Sequence, residues 1–302
     1  MPDVTIVIPS LNSAVIDRTL DAIRAQDFDM STVQVLVVGL DEPGLVRQDG
    51  LVKLVTTDGP ASPAVARNTG IRQSESEIIC LTDADCVPSV SWLSRITAPI
   101  VAEDATVVGG GVSFDTKGHW TLADNISWFH DYLRSSEPGE RTILPTLNLC
   151  LRRGVVEQVG YLDERYPRAA GEDAEWTTRM RLAGHTLRFR PDAWVVHAPP
   201  MRSGFKSVCR HSYHYGRYSV KLNGSPGDGQ ASALLLRSWL LLFLSLPVVS
   251  LAATARIFFS NAALWRYAYT FAGIWVTKAA WVLGAVKTLR DRRVGREDFR
   301  HD

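Results

Sequence analysis

The chain has 302 residues, enough for one large domain or two ordinary ones. Its 33 lysines and arginines balance 32 aspartates and glutamates, so it lacks the basic surplus of a nucleic-acid-binding protein, and we expect no nucleic-acid partner. The four cysteines include no CxxC pair, which argues against a zinc knuckle or a dithiol redox motif. Pro2 and Asp3 stand where a signal peptide would carry basic residues, so we expect no signal peptide.

The first part of the chain alternates between strand and helix patterns. Continuous apolar runs typical of buried strands occupy residues 4–9, 33–38, 52–55 and 78–82, and helical patterns occupy 16–26 and 61–73. In the second helix Ser62 is the expected N-cap, and Pro63 stands at the first helical position. This alternation predicts an α/β fold with a mainly parallel sheet and helices on both faces.

The following residues continue the pattern less regularly. Residues 107–114 are a further predicted strand, and their three glycines do not have the spacing of a dinucleotide-binding motif. We predict a helix over 120–134, a strand over 146–152, and a helix over 172–183 that ends at Gly184. Residues 187–190 and 194–197 are predicted as the last two short strands.

The composition changes after residue 222. A linker rich in glycine, proline and serine comes first, and two long apolar segments follow: residues 238–255 contain no charge, and residues 267–286 contain only Lys278. Both lengths approach one bilayer crossing. The predicted organisation is a catalytic domain over 1–222, a linker over 223–233, a hydrophobic helical hairpin over 234–290 and a basic polar tail over 291–302. The lengths of the apolar segments predict that the hairpin is transmembrane.

The distribution of basic residues predicts how such a hairpin would be oriented. Two arginines, Arg256 and Arg266, lie in the predicted connection, whereas five basic residues follow the second segment: Lys287, Arg290, Arg292, Arg293 and Arg296. This bias favours both ends of the hairpin, and the catalytic domain, on the cytoplasmic side of a cell membrane. The alternative is a buried helical pair in a soluble domain or in an oligomer.

Two acidic clusters suggest the chemistry. Asp83 and Asp85 directly follow the predicted strand 78–82, at the edge of the sheet where α/β proteins bind ligands. Carboxylates two residues apart can converge on a hard cation, which in turn stabilises a diphosphate leaving group. Glu172 and Asp173 begin a predicted helix, and a carboxylate there can accept a proton from an attacking hydroxyl. Solvated loop aspartates and acids that complement a helix dipole are the alternatives.

Six segments in order resemble the family-2 glycosyltransferases, which are inverting enzymes of the GT-A fold. They are VTIVIPSLN at 4–12, ARNTGI at 66–71, IICLTDADCVP at 78–88, LNLCLRR at 147–153, GYLDE at 160–164 and the stretch 171–197 that begins with GED and ends with WVVH. The resemblance covers about residues 3–222. It implies a Rossmann-like, mostly parallel sheet sandwiched by helices, followed in this chain by C-terminal hydrophobic helices.

The resemblance assigns roles to both acidic clusters. Asp83 and Asp85 occupy the DxD motif that binds a divalent metal, Mg²⁺ or Mn²⁺. Asp85 is the expected direct ligand, whereas Asp83 either binds the metal or contacts the ribose. Asp173 is the expected catalytic base, and Glu172 is expected to shape the acceptor side. His197 matches a late histidine near the metal, with a hydrogen-bonded histidine at a strand end as the alternative.

The resemblance also suggests residues for binding the nucleotide sugar, each with a purely structural alternative. The acid that usually follows the second strand is displaced here, and Asp41 is the replacement. The other candidates are Pro9, Asn12, Asp58, Arg67, Asn68, Asp83 and Asn148.

These patterns predict an enzyme that transfers a sugar from a nucleotide diphosphate to a hydroxyl acceptor, with inversion. The QxxRW motif of processive members is absent, which favours transfer of one or a few sugars. The hydrophobic hairpin suggests a membrane location and a lipid-linked or envelope-glycan acceptor, and an oligomer is possible. A metal-dependent nucleotidyltransferase is one alternative, although residues 10–17 lack the basic residues of a phosphate-gripping loop. A non-catalytic nucleotide-sugar-binding membrane module is the other.

Overall fold

The computed structural model describes residues 2–115, 118–199, 204–223 and 235–293. They form two compact units: a sheet unit within Met1–Asp115 and Tyr132–Pro200, and a helical unit within Thr116–Asp131 and Met201–Asp302. In this grouping residues 118–131 and residues 204–222, at the end of the predicted catalytic domain, pack with the C-terminal helices. The predicted linker and most of the predicted tail, including Arg296, lie outside the described residues.

Nine strands among the described residues form a single sheet in the sheet unit. Their order is β3-β2-β1-β4-β8-β6-β9-β5, and β7 pairs with β9. The strands are β1 Val4–Leu11, β2 Val33–Leu40, β3 Val52–Thr56, β4 Ile78–Thr82, β5 Cys86–Pro88, β6 Val107–Phe114, β7 Gly139–Glu140, β8 Asn148–Arg152 and β9 Leu187–His197.

The predicted α/β class with a mostly parallel sheet is confirmed, but the sheet also contains antiparallel pairs. Strands β1 to β4 are parallel, whereas β8 runs antiparallel to both of its neighbours, β4 and β6. The two short strands predicted at the end of this unit are one continuous strand, β9, whose pairing with β6 shifts register between Gly110 and Gly111. That irregularity interrupts the apolar alternation, which explains why the sequence pattern shows two segments.

Five helices accompany the sheet: α1 Ile16–Arg24, α2 Pro63–Gln73, α3 Trp92–Val101, α5 Arg153–Val159 and α6 Glu172–Leu182. Ser62 caps α2 as predicted, because its Oγ accepts a hydrogen bond from the Val65 N–H at 3.3 Å. Gly184 adopts a positive φ of 95° just after α6, which suits a glycine that ends a helix. The sequence analysis missed α3 and α5.

A glycine draws the carboxyl ends of the first two strands together. Gly39 in β2 has φ of 136°, and a Cβ built there would lie 1.9 Å from the Ser10 carbonyl oxygen of β1. No side chain fits such a contact, so only glycine allows the two strands to approach at this edge. The loops that follow β1, β2 and β4 therefore gather at the same end of the sheet.

The helical unit contains α4 His119–Phe129, α7 Phe205–Asn223, α8 Trp239–Ser260 and α9 Phe271–Arg293, with 3₁₀ turns at His130–Tyr132 and Ala262–Thr270. The helix predicted over 120–134 therefore ends earlier. Helix α4 is held within this unit by α9: the Thr277 hydroxyl donates to Ser127 Oγ at 2.8 Å, and Lys278 donates to the Ser127 carbonyl oxygen at 2.7 Å.

Among the described residues of this unit, two helices are long and apolar enough to cross a membrane. They are Trp239–Ser260, with mean hydropathy 2.0, and Ala262–Arg293, which joins the second 3₁₀ turn to α9, with 1.2. Leucine, valine and phenylalanine side chains of α8 are exposed, among them Leu244, Val248 and Phe259. One detail differs from the sequence-based picture: Arg256 lies inside α8 and not in the connection between the helices.

Candidate active site

The loop Asp83-Ala84-Asp85 connects β4 to β5 at the carboxyl end of the parallel strands. Within it the Cys86 N–H donates to the Asp83 carbonyl oxygen at 3.0 Å. The hydroxyls of Thr19 and Ser13 donate to the Ala84 carbonyl oxygen at 3.1 and 3.4 Å. The start of α1 thus fixes the acidic loop. Sequence reasoning missed this role for Thr19, and the only signal was a hydroxyl on the apolar face of the helix.

Asp85 lies beside His197, and the part of His197 in binding a metal stays a prediction. Strands β5 and β9 pair Cys86 with His197, the Ala198 N–H donates to the Asp85 carbonyl oxygen at 2.9 Å, and His197 Nε2 lies 3.7 Å from Asp85 Oδ1. Ligand atoms of Asp85, Cys86 and His197 all lie within 4.8 Å of one another. This arrangement brings together a candidate set of metal ligands from two strands.

The chemistry of these atoms fits a divalent cation held by Asp85 and His197. Burial, followed by the charges of Asp85 and Asp83, raises the pKa of the Cys86 thiol well above its ordinary value. Cys86 therefore stays a thiol, which is a poor ligand for a hard cation. One carboxylate and one imidazole leave most coordination positions to phosphate oxygens and water, as is usual for ions that act on nucleotide substrates.

Arg67 joins the two acidic motifs. It is 3% exposed, and its Nη2 lies 2.6 Å from Asp83 Oδ1 while its Nη1 lies 3.2 Å from Glu172 Oε1. Burial lowers the pKa of Arg67, but the charges of Asp83 and Glu172 outweigh it, so the pKa is raised and the guanidinium stays charged. The phosphate contact predicted for Arg67 remains a prediction, because these groups bind carboxylates here.

Glu172 and Asp173 begin α6 directly after Gly171, which has φ of 105°. Glu172 is 3% exposed, and its Oε2 accepts a hydrogen bond from the Ala170 N–H at 2.8 Å. Asp173 is half-buried, and its Oδ1 accepts from the Ala174 N–H at 2.8 Å. Burial and the adjacent Glu172 charge raise the pKa of Asp173 to about 7. A carboxyl group with this pKa can accept a proton near neutral pH.

The candidate nucleotide-binding residues on the first strands lie at the same edge of the sheet. Pro9 is half-buried in β1. Asn12 has φ of 54°, and its Oδ1 accepts from the Glu42 N–H at 2.8 Å. Asp58 is exposed in the loop after β3. These residues border one edge, and their contacts with a nucleotide stay predictions.

Asp41 is engaged in the fold of its own loop. Its carboxylate accepts hydrogen bonds from the N–H groups of Leu45 and Val46, at 3.0 and 2.8 Å. A carboxylate with two backbone donors organises the segment after β2. If Asp41 also binds the nucleobase, it would use the remaining lone pairs of the same oxygens.

The Asn68 side chain is buried and satisfied within the protein. It donates to the Leu162 carbonyl oxygen and to Glu164, each at 2.8 Å, and accepts from the Leu162 N–H at 3.0 Å. The asparagine of the ARN segment thus anchors the GYLDE segment. This internal role is the structural alternative that the sequence left open.

Asn148 has a similar position in the core. Its amide donates to the carbonyl oxygens of Gly111 and Ala193 at 2.9 and 3.0 Å, and its oxygen accepts from Trp92 Nε1 at 2.8 Å. Its side chain ties β8 to β6, β9 and α3. Its predicted part in binding the nucleotide sugar stays untested, and the described contacts are all internal.

Comparison with known proteins agrees with this architecture. Residues 2–212 match the family model described as glycosyltransferase-like family 2. Glycosyltransferase AglE of Haloferax volcanii is 32% identical over 234 residues, which cover 74% of this chain and 74% of that protein.

Two solved structures resemble the chain in fold. The mannosyltransferase PcManGT from Pyrobaculum calidifontis, in complex with GDP-Man and Mn²⁺, matches with a TM-score of 0.63 at 22% identity. The match covers 96% of this chain and 88% of the PcManGT chain. GalNAc-T7 with UDP, GalNAc and Mn²⁺ has a TM-score of 0.55 at 14% identity, covering 78% of this chain and 53% of its own. At these identities the likeness is one of fold, and it confirms the GT-A type. The extent of the family match shows that the chain belongs to the family-2 glycosyltransferases.

Proposed function

We propose that this chain transfers a sugar from a nucleotide-diphosphate sugar to a hydroxyl acceptor with inversion, assisted by a divalent metal ion, one sugar at a time. The observation that carries the proposal is Asp173: it is half-buried at the start of α6, and its pKa is raised to about 7. An ordinary surface aspartate would be too weak a base for this task.

Asp173 acts as the base in this proposal. Inversion requires the acceptor hydroxyl to attack the anomeric carbon from the face opposite the diphosphate, and the hydroxyl proton passes to the Asp173 carboxylate as the new bond forms. Glu172 is held by Arg67 and by the Ala170 N–H, so it acts mainly by raising the basicity of Asp173.

Asp85 and His197 would hold the metal ion in this proposal. Mg²⁺ or Mn²⁺ bound there supplies positive charge for the diphosphate as it leaves. Asp83 is oriented by its contact with Arg67 at 2.6 Å, which leaves its second oxygen for the ribose or for the metal. Both solved structures of similar fold contain Mn²⁺, which supports a divalent cation at this site.

The location and the acceptor are also proposals. Two helices that are long and apolar enough to cross a membrane support a chain anchored in the cell membrane. The basic residues that follow the second apolar segment support a cytoplasmic sheet unit. An acceptor linked to a lipid, or part of an envelope glycan, suits an enzyme held at that surface.

The test is hydrolysis of a panel of UDP-, GDP- and dTDP-sugars by the full-length protein, with Mg²⁺, with Mn²⁺ and with a chelator. We expect slow release of one nucleotide only with metal, and an anomeric configuration by NMR that is inverted relative to the donor. Asp173→Asn should lose this release, whereas the matched control Asp192→Asn, whose carboxylate pairs with Arg190 at 2.8 Å, should keep it. Release of pyrophosphate from a nucleoside triphosphate and a sugar 1-phosphate, without hydrolysis of any donor, would instead indicate a nucleotidyltransferase. Donor binding without turnover would indicate a non-catalytic module.

A further inference from the structure

An open apolar groove runs between α7 and α9 in the helical unit. Its volume is about 430 Å³, within the range of ligand-binding pockets. We call it the α7–α9 groove. Its walls include Phe205, Cys209 and Tyr213 of α7 and Ala279, Ala280 and Leu283 of α9.

Two glycines let α7 and α9 approach closely just after the groove, whereas the two helices are further apart along the groove itself. A Cβ at Gly216 would lie 2.0 Å from the Trp281 carbonyl oxygen, and a Cβ at Gly284 would lie 2.0 Å from the Tyr213 carbonyl oxygen. Backbone therefore contacts backbone at this point. The groove occupies the preceding two turns of each helix, where small alanine side chains of α9 face bulkier residues of α7.

Two other faces of α9 pack against neighbouring helices. Gly273 packs against α4, since a Cβ there would lie 2.7 Å from Ala123 Cβ. Val282 and Ala285 pack with Leu242 of α8. The α7–α9 groove is thus a side of α9 that keeps exposed apolar surface: Leu283 is 42% exposed, and Phe205 across the groove is 51% exposed. Water is a poor occupant for such a surface, and a hydrocarbon chain is a favourable one.

Two cations stand on the α7 side of the groove. Lys206 and Arg210 are one helical turn apart, both are exposed, and neither has an ion-pair partner among the described residues. At 100° per residue Lys206 falls on the same helix face as Phe205, Cys209 and Tyr213. An occupant that complements this arrangement has an apolar body and an anionic end.

We propose that the α7–α9 groove binds a lipid phosphate, with one hydrocarbon chain in the groove and the phosphate at Lys206 and Arg210. A lipid is favoured because α8 and the segment Ala262–Arg293, which contains α9, are apolar enough to enter a membrane, and a membrane would supply such a ligand directly. The inference rests on the proposed function in one respect: the lipid would carry, on its phosphate, the glycan whose hydroxyl is the acceptor.

The experiment uses the full-length protein in phosphatidylcholine vesicles with a 16-carbon alkyl phosphate that carries a diazirine at the end of its chain. After irradiation, the labelled residues are identified by mass spectrometry. We expect labels on α7 and α9 along the groove, with competition by unlabelled alkyl phosphate but not by the corresponding alcohol. Ala279→Leu, which fills the groove, should abolish this labelling, whereas Ala252→Leu, at an exposed position on α8, should not.

The cations are tested separately. Lys206→Ala with Arg210→Ala should weaken binding of the alkyl phosphate by roughly tenfold to a hundredfold, since each cation contributes a charged hydrogen bond. Arg290→Ala with Arg293→Ala is the matched control at another exposed surface of the unit. This pair of variants changes only exposed side chains, so it keeps the test decisive if Ala279→Leu fails to fold.

Three results would overturn the proposal. The first is labelling that spreads along the exposed face of α8 and is equal in all variants. The second is competition by the alcohol that is as strong as competition by the alkyl phosphate. The third is labelled peptides which show that a second copy of the chain, or the segment 224–234, occupies the groove. Donor hydrolysis without lipid is measured in the same samples. Its absence in the wild type would count against the proposed function, whereas intact hydrolysis without groove labelling would count against the lipid site alone.

Discussion

The two acidic motifs of the sheet unit differ in environment more than in composition. Asp85 lies on a strand-connecting loop, partly open to solvent and beside His197 at 3.7 Å. Glu172 is buried at the start of α6, and together with burial its charge raises the pKa of Asp173 to about 7. The first motif presents atoms that can hold a cation, and the second holds a carboxyl group that can exchange a proton near neutral pH. Burial thus assigns different chemistry to similar side chains.

Asp173→Asn tests the second motif and has the largest expected effect. The amide keeps the shape of the side chain but cannot accept the proton, so we expect kcat for transfer to fall by about 10³- to 10⁴-fold, near the upper range for a general base. Donor affinity, measured by calorimetry with metal, should be nearly unchanged. Equal losses of affinity and rate would show that Asp173 binds the donor instead.

Asp85→Asn tests the first motif. Loss of a charged ligand should reduce kcat/KM by roughly 10³-fold, because a metal supplies several kcal/mol of charge stabilisation, and should raise the metal concentration needed for half-maximal rate. A metal titration of donor hydrolysis measures both. Asp104→Asn, at an exposed position after α3, is the control for a general loss of negative charge. An unchanged metal requirement in Asp85→Asn would contradict the assignment.

Arg67→Met tests the connection between the motifs. It removes the partner of Glu172 within the buried site, so we expect the free energy of unfolding at pH 7 to fall by about 3 kcal/mol, as for other broken buried pairs. Urea denaturation measures this change. Arg72→Met is the matched control, because Arg72 pairs with Glu164 at 3.1 Å on the surface. Equal stability of the two variants would mean that the buried bridge contributes little.

Glu172→Gln tests how much burial and how much the Glu172 charge contribute to the raised pKa of Asp173. Of the four variants it is expected to change activity or stability least. In the wild type, kcat should fall as the pH drops through about 7, because Asp173 becomes protonated. Removing the Glu172 charge lowers the pKa of Asp173, so the fall should move to lower pH. It should remain above the range of an ordinary aspartate, since burial is the larger cause. A pH profile that does not move would exclude coupling between the two groups.

Local patterns predicted the individual elements well and their pairing less well. Strands β4 and β6 and the N-cap of α2 lie where the sequence placed them, because apolar runs and capping residues act over a few positions. The insertion of antiparallel β8 between β4 and β6 depends on contacts between residues 40 or more positions apart, and Cys80 and Cys150 are 70 apart. No local pattern reports such a pairing.

The candidate site shows the same limit. The sequence indicated both acidic motifs and His197, since each ends or begins a strong pattern. It did not indicate that Arg67 would bind Glu172, 105 positions away, or that the amides of Asn68 and Asn148 would be used inside the protein. Polar residues in a motif look alike whether they bind a ligand or hold two loops together, and only their partners distinguish the two.

Helix α4 has a consequence for how this protein can be divided. It lies between β6 and β7 in the chain, yet its Ser127 bonds Thr277 and Lys278 of α9, and its Asp124 contacts His211 of α7 at 3.1 Å. The chain therefore enters the helical unit twice. A protein cut after residue 199 would keep α4 without these partners and expose Leu122 and Ile126 to water. The C-terminal helices therefore cannot be removed without exposing apolar residues of α4. A soluble fragment would need α4 replaced by a short loop.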